Sequence, residues 1–80
     1  MAMGKSPLRR RQPAKPKLTA RESEVLRWVA NGKSAQETAE ILRIAKRTVD
    51  EHVQVAVRKL SAMNRTHAVA LALRDGLIKL

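Results

Sequence analysis

An all-α fold of four helices, with a helix-turn-helix at its centre, is what this sequence predicts. Three observations carry that expectation. Apolar residues after Leu18 recur at three- and four-residue steps, the spacing of one helix face. Two capping boxes, Thr19 with Glu22 and Ser34 with Glu37, mark helix starts. Only Arg43, Ile44 and Ala45 separate the second helix from the third, which is too short for anything but an abrupt change of direction.

The first helix is expected over about residues 20–31. Thr19 and Glu22 each satisfy a free backbone N–H of the other, Val25, Leu26 and Val29 fall on one face, and Gly32 supplies a left-handed stop. Trp28 is placed at the core edge. The second helix is expected over about 35–42, with Ala35, Ala39 and Leu42 on one face and Thr38 and Ile41 beside it. Its alanines let another helix approach closely, and Ile44 is expected as a buried pin in the turn.

The third helix, about 46–62, has the clearest periodicity. Val49, His52, Val53, Ala56, Val57 and Leu60 form a continuous inward stripe, opposite Arg47, Asp50, Glu51, Gln54, Arg58 and Ser61. Met63-Asn64 is expected to end it, Asn64 tolerating the left-handed conformation. Thr66 is expected to cap a fourth helix, about 67–75, stopped by Gly76. That helix is apolar on more than one face, and Leu77, Ile78 and Leu80 extend the apolar character. One small core cannot cover it all, which suggests a subunit contact.

Composition bounds the rest. Eighty residues, 44% of them hydrophobic and one aromatic, make a single domain whose core is aliphatic. The absence of cysteine excludes a disulfide framework, a thiolate nucleophile and a cysteine-based zinc site. Residues 1–17 contain all three prolines, six basic side chains and no acidic one, and read as a flexible arm or linker. The domain proper is 18–80, where eleven basic residues meet seven acidic ones, so most of the net charge of +10 lies on the arm. Such a charge attracts phosphate, though equally an acidic membrane or protein. No apolar run approaches the roughly 20 residues of a membrane span, nor does an apolar segment follow the basic N-terminus as in a secretory signal. A cytoplasmic chain is expected.

Candidates for chemistry are few. His52 sits among Val49, Val53 and Ala56 and reads as a largely buried, hydrogen-bonded structural histidine. His67 has no Cys, Asp or Glu at ligand spacing, so no metal site is expected. Glu37 and Glu40 could pose as an acid/base couple, but Glu37 is taken by the cap. There is no nucleophile constellation and no glycine-rich phosphate loop. No catalytic residue, no cofactor and no enzymatic activity is expected.

Leu-Thr-Ala-Arg-Glu at 18–22, Ala30-Asn31-Gly32-Lys33-Ser34, Glu37-Thr38-Ala39, Thr48-Val49-Asp50-Glu51-His52, Arg58-Lys59-Leu60, Asn64-Arg65-Thr66 and Gly76-Leu77-Ile78 occur in order. Together they resemble the C-terminal DNA-binding domain of LuxR-type (GerE-like) transcription regulators, from about Leu18 to Ile78. The wording of Thr48–His52 and Asn64–Leu73 is most similar to members that sense acyl-homoserine lactones. The resemblance implies that the third helix enters the major groove of double-stranded DNA, with Asp50, Glu51 and Gln54 reading bases. It implies phosphate contacts from Lys33, Ser34, Ala35, Gln36, Lys46, Arg47, Thr48 and Arg58. It also implies a weak homodimer through the fourth helix, at Ala68, Leu71 and Ala72, and makes RNA polymerase a candidate partner. Elementary chemistry agrees, since a helix N-terminus offers free N–H groups and a positive dipole to an anion.

Three departures stand out. Asp50 occupies a position that is basic in many members. Ala45 replaces a common serine cap, which should leave an orphan donor for water or phosphate. The regulatory domain that usually precedes this one is not within these 80 residues. Two alternatives remain open at this point. Asp50 and Glu51 could belong to a solvated face that discourages non-specific binding. The chain could instead be a sigma-factor-like module docking on polymerase or an anti-sigma partner, since sigma C-terminal domains share the Leu-Thr-x-Arg-Glu opening.

Overall fold

The computed structural model describes residues 17–80, which form four helices: α1 (Ala20–Ala30), α2 (Ala35–Leu42), α3 (Lys46–Lys59) and α4 (Arg65–Arg74). Among the described residues there is no strand, and no helix is long and apolar enough to cross a membrane. The arm expected over 1–17 lies outside the described residues except for Lys17.

The first two helices start as their sequences dictate. The Thr19 N–H donates to Glu22 Oε1 at 3.0 Å, and the Glu22 N–H donates back to Thr19 Oγ1 at 3.1 Å. At α2 the Ser34 N–H donates to Glu37 Oε1 at 2.8 Å and the Glu37 N–H to Ser34 Oγ at 3.0 Å. Both pairs satisfy donors that a helix start otherwise leaves bare.

The helix ends follow one rule. Each is closed by a residue in the left-handed region, Gly32, Arg43, Ser61 and Gly76 in turn. The next N–H in each case reaches back to a carbonyl five residues earlier: Lys33 to Trp28, Ile44 to Ala39, Ala62 to Val57 and Leu77 to Ala72. Ser61 therefore ends α3 three residues before the expected boundary. Asn64 is not the left-handed residue; its φ of −164° is extended, and it caps α4 by accepting the His67 N–H at 2.9 Å. Thr66 is accordingly inside α4, which begins at Arg65. His67 also closes the loop, its Nδ1 accepting the Met63 N–H at 2.9 Å.

Helix α3 touches each of the other three and divides the core in two. Towards its start, Val49 and Val53 pack with Val25 of α1 and Ala35 and Ala39 of α2, with Ile44 half-buried against them. Towards its end, Ala56 and Leu60 pack with Leu26, with Ala68 and Ala72 of α4, and with Ile78. Val57 borders both groups. Close approach of α2 uses its alanines, and Thr38, wholly buried, is accommodated because its hydroxyl donates to the Ser34 carbonyl at 2.9 Å. One charged contact locks the layers. Lys59 Nζ, at the end of α3, donates to the buried Glu22 carboxylate of α1 at 2.7 Å.

Candidate nucleic-acid interface

With Val49, Val53, Ala56 and Leu60 turned into the core, α3 must present its remaining residues outward. Lys46, Arg47, Glu51, Gln54 and Arg58 are exposed, and Thr48 and Asp50 half-buried. Two grooves flank this face. One is bounded by Arg47, Glu51, Val55 and Arg58, the other by Val53, Val57, Met63, Asn64 and Arg65. Asp50 and Gln54 border both; Gln54 is exposed with Arg47, Glu51 and Arg58, and Asp50 stands half-buried at the edge of this face. The three residues expected to read bases are thus together on one accessible surface.

Charge on this face is arranged unevenly. Lys46 Nζ lies 3.1 Å from Asp50 Oδ2, one turn along the helix, with both side chains open to solvent. Among the described residues neither Arg47 nor Arg58 has a carboxylate partner. Two unengaged guanidinium groups therefore share one hollow with Asp50, Glu51 and Gln54, while Lys46 is neutralised.

The start of α3 has no side-chain cap, because Ala45 offers no acceptor. The expected orphan donor is nevertheless absent at Thr48, whose N–H donates to the Ala45 carbonyl at 3.0 Å, as does that of Val49 at 3.2 Å. The amides of Lys46 and Arg47, the first two helical positions, are the ones without an intrahelical acceptor. In α2 the corresponding amides are those of Ala35 and Gln36. Lys33, Ser34 and Gln36 are exposed there, but the side chain of Ala35 is buried with Ala39 and Val49, so only its main chain can serve a ligand. The Glu37 carboxyl is held below its usual range, first by the hydrogen bond from the Ser34 backbone, which keeps it ionised and in place as a cap.

Several expectations are corrected. Ala68 and Ala72 have no exposed surface; they are core residues against Leu26 and Ala56, and Leu71 is half-buried beside them. Ala68 and Ala72 cannot supply a surface contact while the domain is folded. The outward residues of α4 are Arg65, Thr66, Ala70, Leu73 and Arg74. His52 is partly buried, and Ile41 is 43% exposed. Met63 and Arg65, not among the residues expected to touch DNA, line the hollow that Asp50 and Gln54 border. They arrive because Ser61 turns the chain beside α3, and Ser61 carries no sequence signal for a left-handed residue. Trp28 is half-buried as an edge residue.

The family model for bacterial regulatory proteins of the luxR family matches residues 16–72. The transcriptional activator protein BjaR1 of Bradyrhizobium diazoefficiens is 58% identical over 62 residues, covering 78% of this chain and 26% of its own length. The quorum sensing-dependent transcriptional regulator RpaR of Rhodopseudomonas palustris is 56% identical over 64 residues, covering 80% and 26% respectively. Among solved structures, the Vibrio cholerae VqmA–ligand–DNA complex superposes with a TM-score of 0.72 at 32% identity, covering 94% of this chain and 31% of that one. The chain thus spans about a quarter of the length of the curated relatives it matches. Nothing in these likenesses supports the sigma-factor-like alternative.

Proposed function

The chain belongs to the luxR family of bacterial regulatory proteins as its helix-turn-helix domain, and from that premise we propose that it binds double-stranded DNA sequence-specifically by laying α3 in the major groove. It would do so as the effector part of a quorum-sensing regulator of the acyl-homoserine-lactone type. The observation that supports this most is the clean division of α3: its apolar stripe holds the domain, and its polar face, with Arg47, Glu51, Gln54 and Arg58 exposed, stands clear of it.

Arg47 and Arg58 suit phosphate, as exposed guanidinium groups without an internal partner. Lys33, Ser34, Gln36, the Ala35 main chain and the start of α3 at Lys46 to Thr48 extend the same role to the ends of the two helices. Gln54 has the donor and acceptor geometry for adenine, and Asp50 and Glu51 can accept from cytosine. A two-fold pair of domains would place half-sites about one helical turn apart. Burial of Ala68 and Ala72 moves any α4 contact to the side of Thr66, Ala70 and Leu73. That face is small beside a standard interface of roughly 1,600 Å², so weak pairing, reinforced by DNA, is the reading. RNA polymerase is a second partner compatible with such a regulator, and a cytoplasmic site of action follows from it. No enzymatic role is proposed.

Gel shifts at several salt concentrations test this. Arg47→Ala should weaken binding to every duplex and lower the slope of log affinity against log salt by about 0.9. Equal affinity of the wild-type chain for all duplexes at low salt would refute specific readout.

A further inference from the structure

Lys46, Asp50 and Gln54 follow one another at four-residue steps on the outer face of α3, and the first two are joined by the 3.1 Å ion pair. We propose that this pair is the specificity-determining device of the helix: Lys46, held on Oδ2, offsets the charge of Asp50, whose Oδ1 reads a cytosine. The proposal rests on the DNA-binding reading and names the base contact within it.

A carboxylate on a surface that meets phosphates is repelled unless something offsets its charge. Lys46 does so here, and the groups around Asp50 offer no second ion pair in this arrangement. Glu51 shares its sign, Gln54 is neutral, and Arg47 and Arg65 border the same two hollows without pairing with it. On a duplex without a suitable donor the pair stays closed. It is then neutral and adds nothing to attraction. Where a cytosine lies opposite, its N4 amino group donates to the other oxygen of Asp50, while Lys46 keeps its place on Oδ2 and the charge stays offset. The matching sequence therefore gains a base contact at no cost in repulsion, while other sequences do not gain it.

Duplexes selected from a random pool by the wild-type chain, and scrambled versions of them, provide the test, with circular dichroism confirming that each variant folds. Asp50→Asn should shift one selected position from cytosine towards adenine, because an amide offers a donor as well as an acceptor. It should also tighten binding to scrambled duplex by about tenfold at 0.1 M salt, one negative charge having gone. The double substitution Lys46→Ala with Asp50→Asn leaves net charge unchanged. It should bind scrambled duplex within about twofold of wild type, yet lose about fivefold or more of the selected-over-scrambled ratio. A wild type that discriminates among duplexes, with Asp50→Asn selecting the same sequences at the same ratio, overturns this device and leaves the DNA reading intact. A wild type that binds no duplex overturns both.

Discussion

The two faces of α3 share one backbone and divide the work of the domain. The inner face is small and aliphatic: Val49 and Ala56 have no exposed surface, and Val53 and Leu60 almost none. The outer face carries five charged residues and Gln54, with a single ion pair among them. What the difference teaches is that fold and recognition can be altered separately here. A side chain on the inner face is felt by three helices, whereas one on the outer face is felt mainly by whatever the domain binds.

The sharpest way to break that division is a cavity in the inner face. Leu60→Ala should lower stability by about 2–5 kcal/mol, read as a lower urea midpoint, with duplex affinity of the remaining folded fraction unchanged. Next in size is the outer face. Gln54→Ala should relax preference at one or two base pairs by about 1–3 kcal/mol while moving the urea midpoint hardly at all.

Lys59 crosses the division, being the one charged residue of α3 tied to the fold. Burial pushes the Glu22 carboxyl up, but hydrogen bonds from Lys59 and Thr19 outweigh it and hold the group below its ordinary range. The folded chain thus holds that proton less tightly than the unfolded one. Its contribution is complete above the usual carboxylate value and is lost as pH falls through the lowered one. Glu22→Gln should cost ~1–2 kcal/mol near neutrality and flatten this acid-side loss in melts run at stepped pH. The smallest effect concerns the start of α3, which belongs to neither face. Ala45→Ser should add a side-chain cap and raise stability by about 0.5–1 kcal/mol, measured by the same urea melts.

Much of this was legible beforehand, for reasons that differ by residue. Thr19, Ser34, Gly32 and Gly76 announce caps and stops by side-chain chemistry alone, and the structure keeps all four. The stripe of α3 is legible because its period is long enough to exclude other faces. Arg43 and Ser61 were not legible as stops, since neither side chain favours a left-handed backbone and the packing around the turn imposes it. Asn64 could serve as a stop or as a cap, and only the position of Ser61 decides between them. Ala68 and Ala72 are apolar in a helix apolar all round, so composition could not say which side meets the core. The Lys46–Asp50 pair has the right spacing in the sequence, but spacing does not show which partner each charge takes.

The central claim is that the outer face of α3 lies along a duplex. Following backbone amide signals of the 80-residue chain while a selected duplex is titrated in tests it most directly. The expected result is shifts concentrated at Lys46 to Arg58 on the outer side and at Lys33 to Gln36, with α1 and the buried face of α4 nearly unmoved. Shifts centred on α1 or α4, with Asp50 and Gln54 unaffected, would contradict the account.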